Sequence, residues 1–153
     1  MPELPEVETT LNGVKPFVDR QIVTKIVVRE RRMRWPVPDL EHLHGQRVVR
    51  CERRAKYMLF HLQDGQVLLL HLGMSGSLRV LPQGTAVQKH DHIDIEFSNG
   101  KLIRFNDPRR FGCCLLLDAP IYEHKLLSSL GPEPLSSDFD GEHLFQLSRG
   151  RSL

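Results

Sequence analysis

The sequence predicts an α+β fold in which short strands form a β-sandwich or barrel-like core with short helices at its ends. Short apolar segments, many of them alternating or β-branched, recur between residues 22 and 117. Turn residues such as Gly and Asn punctuate them, and helical spacing is found mainly near the two ends of the chain. Many short strands separated by turn signals are typical of sandwiches and barrels. At 153 residues the chain is of single-domain size.

Each element follows from a local pattern. Val7, Leu11 and Val14 recur at helical spacing and predict a helix over 5–18. Strands are predicted at 22–28, 48–51, 57–62, 66–72, 77–81, 92–97, 102–105 and 113–117. The last is a continuous apolar run, typical of a strand that is buried on both faces. Turns at 63–65 and 98–100 predict hairpins, and further helices are predicted at 39–44, 122–130 and 140–147.

Composition favours a soluble cytoplasmic protein. Hydrophobic residues make up 40% and charged residues 26% of the chain, and no apolar run approaches the roughly 20 residues of a membrane helix. The chain starts with acidic residues, unlike a secretion signal. Cys51, Cys113 and Cys114 form no CxxC pair and are odd in number, which favours reduced thiols over disulfides or a zinc site.

The net charge of +2 is too small to indicate a polyanion partner, but the basic residues are clustered. The clusters are Arg29, Arg31, Arg32 and Arg34; Arg50, Arg53, Arg54 and Lys56; and Arg104, Arg109 and Arg110. Local patches matter more than net charge when the partner is a phosphate backbone.

The first residues contain a candidate nucleophile. If Met1 is removed, as expected before proline, Pro2 presents a secondary amine beside Glu3, with Glu6 one helical turn further on. A terminal amine titrates about 2.5 units below a lysine side chain, so more of it is neutral and nucleophilic near pH 7. Its condensation with a sugar C1′ would give an iminium ion that favours elimination. The same residues also suit a simple helix start.

Two later stretches have a functional and a structural interpretation. In RRAKY, Lys56 is suited to hold a phosphate or to assist proton transfer. The structural interpretation is that the stretch is a solvated charge cluster at an edge strand. In HLGMSGS, an exposed Met74 would be suited to insert between stacked bases. The structural interpretation is that Met74 fills the core.

Two further stretches combine basic with aromatic or imidazole groups. In KHDH, His90 is interpreted as a phosphate contact, because neighbouring strand residues point to opposite faces and do not converge on a metal. In NDPRRFG, Arg109 is suited to a phosphate or base edge and Phe111 to stacking, unless Phe111 belongs to the core.

Together these stretches resemble the formamidopyrimidine-DNA glycosylase family of bacterial base-excision enzymes, which remove oxidised purines such as 8-oxoguanine and formamidopyrimidines. The matching motifs are the initial PELPEVET, RRAKY, HLGMSGSLR, KHDH, DPRRFG and LGPEPL. The sister group, endonuclease VIII, typically begins with PEGPE. The resemblance implies a two-layer antiparallel β-sandwich flanked by short α-helices. It also implies a bifunctional glycosylase and AP lyase that cleaves the abasic strand by β,δ-elimination.

The resemblance implies catalytic roles for four residues. Pro2 would attack C1′ of the damaged nucleotide and form a Schiff base, and Glu3 would act as acid and base at the sugar and the base. Lys56 would contact phosphate and assist β-elimination. Glu6 would be a second, supporting carboxylate. No metal site or cofactor is expected in this chain, because the family's zinc belongs to a C-terminal finger of the full-length enzymes.

The resemblance also implies the DNA-binding residues. Met74, Arg109 and Phe111 would fill the gap left when the lesion flips out, with Arg109 facing the orphaned cytosine. His90 and Arg151 would bind the DNA backbone. The implied partner is damaged double-stranded DNA, bound by a monomer with no membrane association.

The expected domain organisation is a catalytic β-sandwich over residues 1–135, followed by the start of a linker over 136–153. The family's helix–two-turn–helix and zinc-finger domains are expected to be absent, so little or no glycosylase activity on duplex DNA is expected. Two alternatives stay open at this point. One is a non-catalytic DNA-binding or scaffold fragment, and the other is a tautomerase-like enzyme using an N-terminal proline, against which the basic loops argue.

Overall fold

The fold is a two-layer antiparallel β-sandwich with a helix along one open side. A computed structural model describes residues 4–118, with side chains from residue 6. Its elements are α1 (Leu4–Val18), β1 (Val23–Val28), a 3-10 helix (Glu41–Leu43), β2 (Val48–Arg54), β3 (Tyr57–Leu62), β4 (Val67–His71), β5 (Ser77–Pro82), β6 (Asp91–Phe97), β7 (Lys101–Asn106) and β8 (Cys113–Leu117). One sheet has the strand order β1-β6-β7-β5 and the other β2-β3-β4-β8. The predicted sandwich is confirmed, and every predicted strand is found.

Helix α1 closes the open side between the two sheets. It contacts β5, an edge strand of one sheet, and β2, an edge strand of the other. Val7, Leu11, Val14 and Val18 are buried and join the core between the sheets. Their spacing places them on one stripe of the helix, so the pattern that predicted the helix also orients it.

The β2-β3-β4-β8 sheet is apolar on both faces. Met58, Phe60 and Leu70 point into the core between the sheets. Alternate residues, among them Leu59 and Leu69, form a second buried cluster on the opposite face, against which Trp35 packs. Because both faces are buried, β3, β4 and β8 have nearly continuous apolar sequences, as predicted for β8.

Three sequence predictions change in detail. The helix predicted at 39–44 is a short 3-10 helix, Glu41–Leu43. Strand β2 extends to Arg54, and Ala55 with Lys56 forms the two-residue turn of the β2–β3 hairpin rather than the head of a strand. Ala55 has a φ of 52°, in the left-handed region that tight hairpin turns use. The helices predicted at 122–130 and 140–147 lie outside the described residues.

The antiparallel pairing brings five connecting segments to one end of the sandwich, here called the loop end. In one sheet, Tyr57 pairs with His71 and His71 with Cys113. In the other sheet, Asn106 pairs with both Ser77 and Asp91. The loop end therefore carries the segment after β1, the 55–56 turn, the 72–76 loop, the residues just before β6 and the 107–112 loop.

A buried ion-pair network supports the segment that precedes β6. Arg104 is 2% exposed and donates to both carboxylate oxygens of Asp94, at 2.8 and 2.9 Å. It also donates to the carbonyl oxygens of Ala86 and Thr85, at 2.9 and 3.1 Å. Arg29 donates to Asp94 from the other side, at 2.5 Å. Arg29 and Arg104 belong to the basic clusters of the sequence, but the fold uses both in this internal network.

Asp94 stays ionised inside this network. Burial alone would raise the pKa of the Asp94 carboxyl, but hydrogen bonds and charge from Arg104 and Arg29 hold its pKa below the usual value. A folded-state pKa below the unfolded value means that ionised Asp94 stabilises the fold at neutral pH. That contribution is lost as the pH falls through the folded-state pKa.

We expect Asp94→Ala to lower the free energy of unfolding by about 3–5 kcal/mol at pH 7, because buried Arg104 loses the carboxylate that accepts two of its hydrogen bonds and is left with the more distant carboxylate of Asp91, at 3.7 Å. Urea titration measures this change. Below about pH 4 the wild-type contribution begins to be lost, and the difference between the two proteins shrinks as the pH falls through the lowered folded-state pKa of Asp94. Glu52→Ala serves as the control and should cost about 1 kcal/mol or less, because Glu52, which contacts Arg50 and His61, is 27% exposed whereas Asp94 is 3% exposed. A loss at Asp94 no larger than at Glu52 would contradict a stabilising role for the network.

Candidate nucleic-acid interface

Five of the predicted site residues lie in the segments of the loop end. Lys56 is in the β2–β3 turn, Met74 in the 72–76 loop, His90 just before β6, and Arg109 and Phe111 in the 107–112 loop. Met74 is 48% and Phe111 43% exposed, so neither fills the core. Exposed apolar side chains among cations are typical of surfaces that contact nucleic acids.

The buried carboxylate of Asp107 ties the two exposed loops together. Its oxygens accept hydrogen bonds from the Ser75 hydroxyl and the Gly112 backbone N–H, both at 2.8 Å. Ser75 Oγ in turn accepts the N–H of Arg109 at 3.2 Å. One side chain therefore holds the loop that carries Met74 against the loop that carries Arg109.

The backbone of Asp107 extends these contacts to the KHDH stretch. Its N–H donates to the carbonyl oxygen of His90 at 3.1 Å, and its carbonyl oxygen accepts from Nε2 of buried His92 at 2.7 Å. The two histidines thus have different environments, since His90 is only half-buried. His90 has a φ of 71°, and Asn106 fixes the preceding residue by donating to the carbonyl oxygen of Lys89 at 3.0 Å. Asp107 lies within the DPRRFG motif, but no pattern in the sequence indicates that it is the centre of these contacts.

Two glycines allow the loops to approach each other. Gly73 has a φ of 65°, and a Cβ there would lie 2.5 Å from the backbone nitrogen of Gly112. A Cβ at Gly112 would collide with the carbonyl oxygen of His71. Because backbone atoms cannot move away as side-chain ends can, any larger residue at either position would separate the loops.

His71 adds a neutral imidazole beside Lys56. Its ring lies 4.9 Å from the Tyr57 ring, and its Nδ1 accepts the N–H of Gly73 at 3.1 Å. Burial, assisted by the charges of Lys56 and Arg34, lowers the pKa of His71 to about 4. The ring is therefore uncharged at neutral pH, with Nδ1 as the acceptor and the proton on Nε2. His71 lies within a motif that the sequence singled out, but its role could not be read from that motif.

A groove of about 510 Å³ adjoins the 107–112 loop and is called here the arginine groove. It is lined by Arg32, Met33, Arg34, Arg109, Arg110 and Phe111. The Arg34 guanidinium lies 4.5 Å from the Trp35 ring centroid, and that of Arg109 lies 5.0 Å from the Phe111 ring centroid. The N–H of Arg34 donates to the carbonyl oxygen of Gly112 at 3.2 Å, which joins the segment after β1 to the same assembly.

The first turns of α1 lie close to the Lys56 turn. Glu8 forms an ion pair with Arg53, and Arg53 also donates to the carbonyl oxygen of Ala55 at 2.8 Å. Glu6 is exposed and directly precedes Val7, which is buried. The predicted catalytic residues Pro2 and Glu3, and the predicted DNA contact Arg151, lie outside the described residues.

Comparison with protein families decides the relationship of the chain. Residues 1–114 match the family model described as the formamidopyrimidine-DNA glycosylase N-terminal domain. The chain belongs to this family. The resemblance inferred from the motifs is thereby confirmed.

Curated relatives match along the whole chain. Formamidopyrimidine-DNA glycosylases of Pseudomonas aeruginosa (strain LESB58) and Pseudomonas putida (strain GB-1) are each 56% identical over 155 aligned residues, and that of Stutzerimonas stutzeri (strain A1501) is 54% identical. In each case the match covers 100% of this chain and 57% of the relative. The chain thus spans little more than half the length of these relatives.

Solved structures of the family share the fold. Wild-type Lactococcus lactis Fpg in complex with DNA containing N7-benzyl-Fapy-dG has a TM-score of 0.75 and 29% sequence identity. The match covers 84% of this chain and 48% of that one. A mutant of the same protein in complex with THF-containing DNA gives the same TM-score and identity.

The described part of the family domain offers no set of ligands for the zinc of longer members. Cys51 and Cys114 lie in the core between the sheets, whereas Cys113 belongs to the cluster on the opposite face. Burial raises the pKa of Cys51 and of Cys113 to about 12 and that of Cys114 further still, so these thiols are protonated, whereas zinc binds thiolate. Among the described residues, no three or more His, Cys, Asp or Glu side chains are grouped as a metal site. Within that same part, no helix has both the length and the apolar character needed to span a membrane.

We expect Lys56→Met to raise the pKa of His71, because it removes one of the two cations that oppose protonation of the ring. The titration is followed by NMR of the imidazole carbon-bound protons. As the folded-state pKa lies below the unfolded value of about 6.5, protonation of His71 should weaken the fold as the pH falls from about 6.5 to 4, and less so in the variant. Lys25→Met, a change at an exposed lysine of β1, is the control. Equal His71 pKa values in the two variants would contradict the influence of Lys56.

We expect Asp107→Ala to lower the free energy of unfolding by about 2–5 kcal/mol, because the Gly112 N–H and the Ser75 hydroxyl both lose their acceptor. Ser75→Ala removes one of these bonds and should cost about 1 kcal/mol. Since the two residues share a bond, the double variant should be less destabilised than the sum of the singles. Chemical denaturation of the three variants measures the coupling. Additive losses would contradict the contact between the loops.

Proposed function

We propose that this chain is the N-terminal, catalytic part of a DNA glycosylase and AP lyase that excises oxidised purines from double-stranded DNA. Residues 1–135 would form the catalytic sandwich, and residues 136–153 would begin the linker that follows it. Membership of the family supports this function, as do relatives that are 56% identical and named formamidopyrimidine-DNA glycosylases. The similar structure from Lactococcus lactis has been solved with DNA that contains Fapy-dG.

The observation that carries the proposal is the gathering of Lys56, Met74 and Arg109 at the loop end, beside the start of α1. The ion pair between Glu8 and Arg53 holds the start of the helix near the Lys56 turn. Pro2 precedes Leu4 by two residues, and two residues span at most about 7 Å. This short distance along the chain would allow the amine of Pro2 to reach the surface that would receive the DNA.

In the proposed reaction the Pro2 nitrogen attacks C1′ of the damaged nucleotide. The bond between C1′ and the base breaks as the base takes up a proton. The nitrogen then loses its proton and the bond between C1′ and O4′ breaks, with O4′ taking up a proton, so that the sugar opens and an iminium ion is left at C1′. Glu3 supplies the acid and base functions at the sugar and the base. The resulting iminium ion has a fixed positive charge, so it withdraws electrons from C2′. Loss of a C2′ proton then expels the 3′ phosphate, with Lys56 contacting phosphate and assisting this β-elimination. Exposed Glu6 would support the site electrostatically from the first turn of α1.

Access to C1′ requires the damaged nucleotide to leave the duplex. Base flipping costs a few kcal/mol of lost stacking and pairing, and side chains that occupy the vacated space offset this cost. Met74 and Phe111 are exposed apolar groups on neighbouring loops, and Arg109 lies over the Phe111 ring. We assign this filling role to the three residues, with Arg109 facing the orphaned base and His90 and Arg151 contacting the backbone.

Borohydride trapping tests the proposed nucleophile. After intact-mass confirmation that Met1 is removed, the protein is incubated with duplex DNA containing an abasic site and reduced with borohydride. We expect a covalent protein–DNA adduct, and about tenfold or more slower formation with Pro2→Gly, equivalent to at least about 1.4 kcal/mol of activation free energy. The reason is that a primary amine gives an imine that must be protonated before it can accept electrons. Lys25→Met should form the adduct at the wild-type rate.

The same assay distinguishes the catalytic function from the alternative, non-catalytic one. A non-catalytic DNA-binding or scaffold fragment would bind the abasic duplex without forming an adduct in either protein. That result would contradict the catalytic proposal and favour the alternative. Equal trapping by the wild type and Pro2→Gly would instead show that the secondary amine of Pro2 is not required for the adduct.

A further inference from the structure

The arginine groove carries positive charge that the proposed chemistry leaves unused. Arg32, Arg34 and Arg110 line it together with Arg109. Among the described residues, Glu30 is the acidic partner that ion-pairs with this set. The groove therefore keeps a local excess of positive charge, although the whole chain has a net charge of only +2.

Glu30 is placed where an anionic ligand would bind. Its carboxylate accepts two hydrogen bonds from the Arg32 side chain, at 3.0 Å from Nε and 2.9 Å from Nη2. It also accepts the N–H of Arg32 at 2.9 Å and lies 3.7 Å from the Arg110 guanidinium. Two oxygens facing a guanidinium edge reproduce the geometry with which arginine binds phosphate. Glu30 thus occupies the position of a phosphate between Arg32 and Arg110.

The ion pair of Glu30 with Arg32 is open to exchange, unlike the pair of Arg29 with Asp94. The Arg32 side chain is 80% exposed and that of Glu30 is 23% exposed, whereas Asp94 is 3% exposed. Water and salt screen an exposed pair, so it contributes little to stability. A phosphate can therefore displace Glu30 from Arg32, but no external anion can reach the buried network.

The groove also continues directly from the residues assigned to the flipped-base gap. Arg109 and Phe111 belong both to its lining and to that set. The Arg34 guanidinium is stacked on Trp35, and a stacked planar group loses less conformational entropy when it binds. DNA placed over Phe111 would bring its phosphates past these arginines.

We propose that the arginine groove binds the phosphate backbone of duplex DNA next to the flipped-base gap, and that Glu30 lowers the affinity by competing with phosphate for Arg32 and Arg110. The proposal rests on the proposed function for the nature of the DNA, but it does not depend on the chemistry of Pro2. The groove is a second anchoring point, and Glu30 acts as an internal competitor. Such a competitor weakens contacts to any duplex, since phosphates are the same at every sequence.

Fluorescence anisotropy tests the proposal, with a labelled duplex that carries a tetrahydrofuran abasic-site analogue at its centre as the probe. We expect Glu30→Gln to tighten binding by about three- to tenfold. We expect Arg32→Ala to weaken binding by a similar factor and to reduce the slope of log affinity against log salt by about 0.9 for one lost phosphate contact. If Glu30→Gln binds no more tightly than the wild type, or Arg32→Ala leaves the slope unchanged, the proposal is wrong.

The chain offers a matched control pair on β2. Arg50 and Glu52 form an exposed ion pair of 2.8 Å, with side chains 62% and 27% exposed. Glu52→Gln changes the net charge as Glu30→Gln does, and Arg50→Ala as Arg32→Ala does. We expect both controls to bind within about twofold of the wild type. A Glu52→Gln protein that binds as tightly as Glu30→Gln would show that net charge is responsible, which overturns the proposal.

A second measurement locates the contact on the DNA. Single phosphates of the probe are replaced in turn by neutral methylphosphonates along each strand. The effects of Glu30→Gln and Arg32→Ala should both disappear at the same one or two positions, and effects that persist at every position would overturn the proposal. The outcome is independent of trapping: an adduct without any Glu30 effect refutes the groove alone, and a Glu30 effect without an adduct refutes the catalytic function alone.

Discussion

The loop end depends on one buried carboxylate. Asp107 is fully buried and binds Ser75 and Gly112 through its side chain. Through its backbone it also contacts His90 and His92. A buried carboxylate that lost these donors would have a large desolvation cost, so the loops that supply the donors are held as one unit. Residues that are far apart in sequence thereby acquire fixed relative positions, which the proposed contacts with DNA would require.

The sandwich supplies the rigid base for this assembly. Apolar side chains fill the space between the sheets, and α1 closes the open side. Arg104 then fixes the segment before β6 by donating to two of its carbonyl oxygens from inside the fold. Charge thus has two separate uses in this molecule. Buried arginine positions the backbone, whereas exposed arginine is available to a ligand.

Much of the fold could be predicted from the sequence, because each strand carries a local pattern of burial and each hairpin a local turn signal. The exposed positions of Met74 and Phe111 could only be proposed, since a methionine or phenylalanine next to glycines suits a core as well as a loop tip. Arg104 is the converse case, a charged residue whose burial could not be predicted. As a charged residue in a strand it would be expected at the surface, and only its partner Asp94 on the neighbouring strand explains why it is buried.

The position of Asp107 in the site could not be predicted for a similar reason. Its hydrogen bonds connect residues up to 32 positions apart, and no periodicity records such contacts. His71 is a comparable case, because the low pKa of its ring arises from burial and from Lys56 and Arg34, which belong to different segments. Long-range polar contacts of this kind depend on the assembled fold, whereas apolar periodicity is present in each element before assembly.

The hydrogen bonds that join the two exposed loops use the Asp107 and Ser75 side chains and backbone atoms of Arg109 and Gly112. The outward side chains of Met74, Arg109 and Phe111 take no part in them. The groups that hold the loops together are therefore different from the side chains that point outward. The outward side chains can be replaced while the hydrogen bonds between the loops are kept. Libraries limited to these three positions would vary the proposed DNA contacts with little risk of losing the folded protein.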